Sequence, residues 1–196
     1  MSLMPVFDKF TEEAKIIGKM VVGYGELEYD WMLCVSLFLG DTQYAVRTLY
    51  RLKSESSRLQ VGDALLRPFY ASHQLDNEYQ QLYVAMKHCK NIRNNYAHCH
   101  WGDAEDKLMI VLVEKAAISL TGEGDIDLRY VDLALLKQQL AYFEYCASLL
   151  FHLQYEPRVR QGKVRANPLQ LPKVLQPPPQ YIRQGSLPSR MIYEAE

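Results

Sequence analysis

The stretch Ile17-Gly-Lys-Met20-Val-Val-Gly-Tyr24-Gly-Glu-Leu27-Glu-Tyr-Asp-Trp31-Met-Leu-Cys-Val35-Ser-Leu-Phe38 decides the fold class. Its apolar residues recur at Ile17, Met20/Val21, Tyr24, Leu27, Trp31, Val35 and Phe38, the period of an α-helix with one buried face, held for about six turns. The helix starts near Asp8 or Thr11, where Asp8, Glu12 and Glu13 suit an N-terminus, and ends at Gly40-Asp41. Gly18, Gly23 and Gly25 lower its helix propensity, which makes sense if another helix packs closely there. Gly23-Tyr-Gly25-Glu-Leu-Glu28 has the outline of a dinucleotide fingerprint, but it has Glu at the third glycine and no strand before it.

Working outward, residues 42–66 read as one or two helices with a break or turn at Lys53–Ser57, and Pro68 ends that segment or opens the next. A third long helix is expected from about Leu75 to Ala97, with Tyr79, Leu82, Met86, Cys89, Arg93 and Tyr96 along one stripe and Trp101-Gly102-Asp103 as its exit. Leu108–Val113 and Ala117–Leu120 are short and β-rich, which predicts a hairpin, with Thr121–Asp125 as a turn. A last helix follows, roughly Tyr130 to Tyr155. Leu149, Phe151 and Leu153 widen its apolar face, so it is either central or partnered on two sides. Pro157 closes the domain. The expected architecture is therefore mainly α: a bundle of four to five helices with a small β-hairpin insertion over residues 1–156, then a Pro-rich tail over 157–196. That tail holds seven of the nine prolines and no core-forming run, and is either disordered or extended on the body.

Apolar residues make up 48% of the 196, enough to bury a core. The net charge of -1 hides an asymmetry: the tail has seven basic side chains against two acidic ones, so a mildly acidic body bears a basic tail. The four cysteines, Cys34, Cys89, Cys99 and Cys146, lie in helical patterns and read as reduced thiols of an intracellular protein. The N-terminus lacks the basic and apolar runs of a signal peptide, and no apolar run approaches the ~20 residues of a membrane span. Both absences point to the cytoplasm and away from a membrane.

The densest polar stretch beside an apolar face is Asn91-Ile-Arg93-Asn94-Asn95-Tyr-Ala-His98-Cys-His100. Arg93 and His98 lie about 140° apart on a regular helix, but Arg is long and His98 sits near the helix end. Asn94, four residues before His98, shares its face. A histidine titrates near neutrality and serves as general acid or base, and an arginine fork neutralises phosphoryl charge. Together they suffice for metal-free RNA cleavage with the 2′-hydroxyl as nucleophile. Arg93 could equally pair with Glu28 or another carboxylate inside the bundle, with Asn94 and His98 as caps. His88, Cys89, His98, Cys99 and His100 bring zinc to mind, yet no ligand spacing supports it, and neither a metal nor a cofactor is expected. No phosphate loop or nucleophile elbow is present.

The stretch resembles the Arg-Asn-x-x-x-His signature of the HEPN superfamily, all-helical domains many of which are toxin or defence ribonucleases. The resemblance covers roughly residues 12–155: the long first helix with Gly23-Tyr-Gly25-Glu-Leu-Glu28-Tyr, the second helical region, Arg93-Asn94 and His98 near the end of a third, the Trp-Gly after it, a small β insertion and a long closing helix. It implies a homodimer in which two Arg and two His share one cleft and cut RNA without metal. Arg93 would contact the phosphate, His98 act as base or acid, and Asn94 be the polar residue beside the Arg. Glu28 lies on the apolar stripe of the first helix, where a carboxylate needs a partner, and Arg93 or His98 is the expected one.

The superfamily also includes members that only bind nucleotides or RNA and members that are structural. Three roles thus follow: a metal-independent endoribonuclease, an RNA- or nucleotide-binding domain, or a protein-interaction module whose tail binds an antitoxin or other partner. An acidic body is poorly suited to RNA, so the tail or a local patch around Arg47, Arg51, Lys53, Arg58, Lys87 and Lys90 would have to supply the attraction. The many aromatics read as core before they read as base-stacking platforms.

Overall fold

The structure, a computed structural model, describes residues 4–104, 107–113 and 125–188. Six helices occur among these: α1 (Val6–Lys9), α2 (Thr11–Leu39), α3 (Thr42–Leu49), α4 (Glu55–Ser72), α5 (Asp76–Ala97) and α6 (Leu133–Arg160). Four strands accompany them: β1 (His100–Ala104), β2 (Lys107–Leu112), β3 (Asp125–Val131) and β4 (Arg183–Pro188). The protein is mainly α, as the periodicity predicts, and α2 and α5 start and stop where expected. None of these helices is long and apolar enough to cross a membrane. The chain divides into two compact units, one of residues 1–21, 91–140 and 178–196, the other of residues 22–90 and 141–177.

The first unit holds the sheet, antiparallel throughout in the order β1-β2-β3-β4. Leu108 and Ile110 of β2 are buried on one face with Val131 of β3, which pairs with Leu108, and Leu128, which pairs with Val111, is buried on the other. Trp101 of β1 lies against Phe7 and Tyr96, and Lys9 of α1 pairs with Asp103 at 2.7 Å, which anchors the edge strand. Two expectations fail here. Trp101-Gly102-Asp103 is not merely a helix exit but the middle of a strand. Residues 125–131, assigned to a turn and the start of the last helix, form the strand that pairs with β2. The Ala117–Leu120 half of the expected hairpin lies outside the described residues. β-Branched and aliphatic content marked 108–113, while the alternation of Asp125-Ile-Asp-Leu-Arg-Tyr130, also the period of a strand, went unused, and this segment pairs with β2.

Two ties hold the chain around Pro178–Ile182 to this unit. Gln139, fully buried on α6, accepts a hydrogen bond from the Tyr96 hydroxyl and donates one to the Pro179 carbonyl at 2.8 Å. The Ile182 amide donates to Tyr130 O at 2.7 Å, and β4 then continues along β3. A buried amide with both ends satisfied converts a Pro-rich stretch into fixed structure. Before it, residues 161–169 form turns and bends, and 170–179 run on without helix or strand.

In the second unit, Gly40 at φ +72° ends α2, and Asp41 caps α3 by accepting from the amides of Gln43 and Tyr44. Ser54 caps α4 by accepting from the Ser57 amide, so in the polar stretch 53–57 only Lys53 and Ser54 precede the helix, which Glu55–Ser57 open. Pro68 lies inside α4 instead of at its boundary. Likewise α6 runs through Pro157 to Arg160. A proline leaves the carbonyl four residues before it without its helical donor; here that carbonyl belongs to Leu153, and the buried Tyr70 hydroxyl donates to it at 3.2 Å. The helix can therefore pass its proline at low cost. The core of this unit is built from Tyr24, Leu27, Trp31, Leu66, Tyr70, Tyr79, Met86, Cys146 and Leu150. The glycines of α2 behave differently from expectation: a Cβ at Gly18, Gly23 or Gly25 would meet nothing within 4 Å. The close approach in this unit is at Gly62, under the Trp31 ring.

Candidate functional site

The end of α5 is positioned by two buried anchors, Ile92 and Tyr96, four residues apart on one face. The residues between and beside them emerge at its margin. Arg93 and Asn94 are half-buried, and Nη1 of Arg93 donates to Asn94 Oδ1 at 3.0 Å. The last helical hydrogen bond here runs from the His98 amide to Asn94 O at 3.2 Å. The His98 side chain is exposed, one residue past the helix. The sequence-predicted trio thus sits on one helix end, with Asn94 bonded to both other residues, through its side chain to Arg93 and through its carbonyl to the backbone of His98.

Other residues join from far along the chain. Asn95 Nδ2 donates to Gln180 Oε1 at 2.9 Å, and Asn95 Oδ1 accepts from Arg129 Nη1 at 3.3 Å. The Arg129 guanidinium lies 4.7 Å from the centre of the Tyr181 ring. Sequence reading missed Arg129, Gln180 and Tyr181, since the strand that carries Arg129 and the path of the tail both come from long-range contacts. Asn95 stood in the motif, and its adjacency to Arg93-Asn94 was the one available signal.

Cys99 is not a reactive partner for this trio. Burial pushes the Cys99 thiol up to about 12, and its Sγ lies 3.6 Å from Tyr96 O, so it stays protonated at neutral pH. His100 is an exposed residue of β1. Cys89, fully buried, likewise holds its proton well above the ordinary thiol range through desolvation. Among the described residues no group of three or more His, Cys, Asp or Glu could hold a metal ion.

Glu28 belongs to the second unit, and its partner there is not the one expected. Arg58 forks onto it, Nε to Oε1 and Nη2 to Oε2, both at 3.1 Å, and Arg58 Nη1 also donates to Leu52 O at 3.1 Å. Both side chains are less than one-fifth exposed. The need for a cation beside a carboxylate on an apolar stripe was read correctly. The cation comes from the first turn of α4, thirty residues on, where nothing in the sequence pointed.

No protein-family model, curated protein or solved structure matches the chain. Fold and site define a mainly helical protein with a four-stranded antiparallel sheet and an Arg-Asn…His cluster at the end of α5.

Proposed function

We propose that the protein is a metal-independent endoribonuclease in which Arg93 carries the charge of the scissile phosphate and His98 moves the proton. The observation that supports this reading is the pairing, on one helix end, of a guanidinium held through the Asn94 amide oxygen with an exposed imidazole. A neutral amide oxygen orients the fork without cancelling its charge, and an exposed imidazole is open to a substrate hydroxyl. The resemblance to HEPN ribonucleases points the same way and supplies the dimer: two such ends facing one cleft. One His98 takes the proton of the 2′-hydroxyl, whose oxygen attacks phosphorus. The bond to the 5′-oxygen breaks, and the second His98 protonates that leaving oxygen. The products are a 2′,3′-cyclic phosphate and a 5′-hydroxyl. Glu28, committed to Arg58, takes no part.

The test is cleavage of a mixed RNA pool by purified protein in EDTA, beside Arg93→Ala and His98→Ala variants checked for folding and for dimer mass. The expected result is cleavage by the wild type that leaves cyclic-phosphate ends and is lost in both folded variants. A wild type that leaves RNA intact when equimolar with it, or variants that cut like the wild type, would overturn the reading.

A further inference from the structure

α3 buries only Ala45 and Leu49 and turns the rest of its surface to solvent. At about 100° per residue, Arg47 lies at the centre of the outward face. Tyr44 flanks it at about 60°, and Tyr50, the C-cap, and the exposed Arg51 follow in the turn after the helix. Tyr44 is 61% exposed and Tyr50 47%, large values for aromatic rings of a folded domain. Lys53 extends the cationic run, and no carboxylate occurs from Thr42 to Ser54. A further guanidinium, that of Arg58, lies 5.7 Å from the centre of the Tyr50 ring. Carboxylates border this face: Asp41 caps α3, its Oδ1 accepting from the Gln43 and Tyr44 amides, and Glu26, Glu28 and Glu55 lie by Tyr50 or Arg58, with Glu28 taken up by Arg58.

We infer that the outward face of α3 and its following turn is a docking surface for single-stranded RNA, with Arg47, Arg51 and Lys53 on phosphates and Tyr44 and Tyr50 as stacking platforms. Cations interleaved with exposed planar rings is the chemistry single strands need: charge to track the backbone, and aromatic faces for unpaired bases. An acidic protein partner would find the same cations and rings, and polyglutamate stands in for it in the test. The inference goes beyond the ribonuclease reading and names a separate surface for the same class of ligand. It rests on that reading for its choice of RNA and on α3 for its residues.

The experiment is fluorescence anisotropy of a labelled single-stranded RNA of roughly 20 nucleotides in EDTA, on the His98→Ala background so that binding is read without turnover. Arg47→Ala/Arg51→Ala and Tyr44→Ala are compared with that background at several salt concentrations, and their folding is checked by circular dichroism. The double variant is expected to bind at least about tenfold more weakly and to lower the salt slope by about 1.4, two single-strand phosphate contacts. Tyr44→Ala is expected to lose about fivefold or more with the slope unchanged. Folded variants that bind like the background overturn the inference, as does a protein that ignores RNA and instead binds polyglutamate or anionic vesicles through the same residues. The two proposals fail separately. Binding that depends on α3, by a protein that never cuts, sinks the ribonuclease and keeps the surface. Cutting by the wild-type protein that is indifferent to α3 does the reverse.

Discussion

The indole of Trp31 lies on the bare backbone of Gly62: a Cβ at position 62 would stand 2.2 Å from the indole Nε1 and 2.8 Å from Cε2. Trp31 is 2% exposed and rests near the rings of Tyr79 and Tyr83, so it has nowhere to retreat. Gly62→Ala should therefore destabilise the protein by about 1–3 kcal/mol, despite a helix-propensity gain of at most ~1 kcal/mol. The same change at Gly25, where a Cβ meets nothing within 4 Å, should stabilise by up to ~1 kcal/mol. Urea unfolding followed by circular dichroism measures both, and equal signs would contradict the packing described.

The bidentate pair of Arg58 and Glu28 makes a second prediction. Removing one member leaves the other desolvated and unmatched, so Glu28→Gln should cost about 2 kcal/mol. In a double-mutant cycle with Arg58→Gln, the second substitution should add much less than it costs alone. The retained RNA cleavage per folded molecule separates this structural role from a chemical one. If Glu28→Gln kept full stability and lost cleavage selectively, the carboxylate would belong to the chemistry after all.

These two cases also mark what the sequence could and could not disclose. The 3.6-residue period of Ile17–Phe38 and the stripe through Tyr79 and Met86 made α2 and α5 legible, because an amphipathic period is a local property. The alternation of Asp125-Ile-Asp-Leu-Arg-Tyr130 is also local and was overlooked, whereas the tail strand Arg183–Pro188 was not legible, because it takes its identity from pairing with β3. Helix passage through Pro157 depends on the Tyr70 hydroxyl, which is 87 residues away and invisible to any window. For the site, Arg93, Asn94 and His98 could be named together because one helix carries all three. Arg129, Gln180 and Tyr181 could not, and neither could Arg58.

Two carboxyls of the second unit should respond to pH with opposite signs. Burial raises Asp30 above the ordinary carboxylate value, only partly offset by the bond from Gln154 at 3.4 Å. Its folded form thus favours the proton, and the ionised group weakens the fold at neutral pH. Glu156 is lowered, first by the hydrogen bond from Asn167 at 3.0 Å and then by Arg160. Its stabilisation is present above the unfolded value and is lost as pH falls through the folded one. Asp30→Asn should accordingly raise the melting temperature at pH 7, and Glu156→Gln should lower it. Both differences should shrink as the buffer is taken into the acid range. Thermal melts at a series of pH values test this, and a Glu156→Gln deficit that grows in acid would be incompatible with it.

The Arg93–Asn94 contact gives the sharpest test of how the guanidinium is used. Asn94 Oδ1 accepts from Nη1 at 3.0 Å as a neutral dipole, which helps to orient the fork and adds no negative charge of its own. Asn94→Asp keeps the shape and places a carboxylate on the same atom. The guanidinium would then be held more firmly but largely neutralised toward a phosphate. Asn94→Ala removes the orientation and leaves the charge intact. If Arg93 works on a phosphate through its charge, Asn94→Asp should lower the initial rate of RNA cleavage in EDTA by about tenfold to a hundredfold, and Asn94→Ala by less. Arg93→Lys should fail to restore the rate, because a point charge on a flexible stem cannot reproduce the fork. The reverse ranking, with Asn94→Ala worse than Asn94→Asp at equal stability, would mean that Arg93 serves to brace the helix end and that another group meets the phosphate.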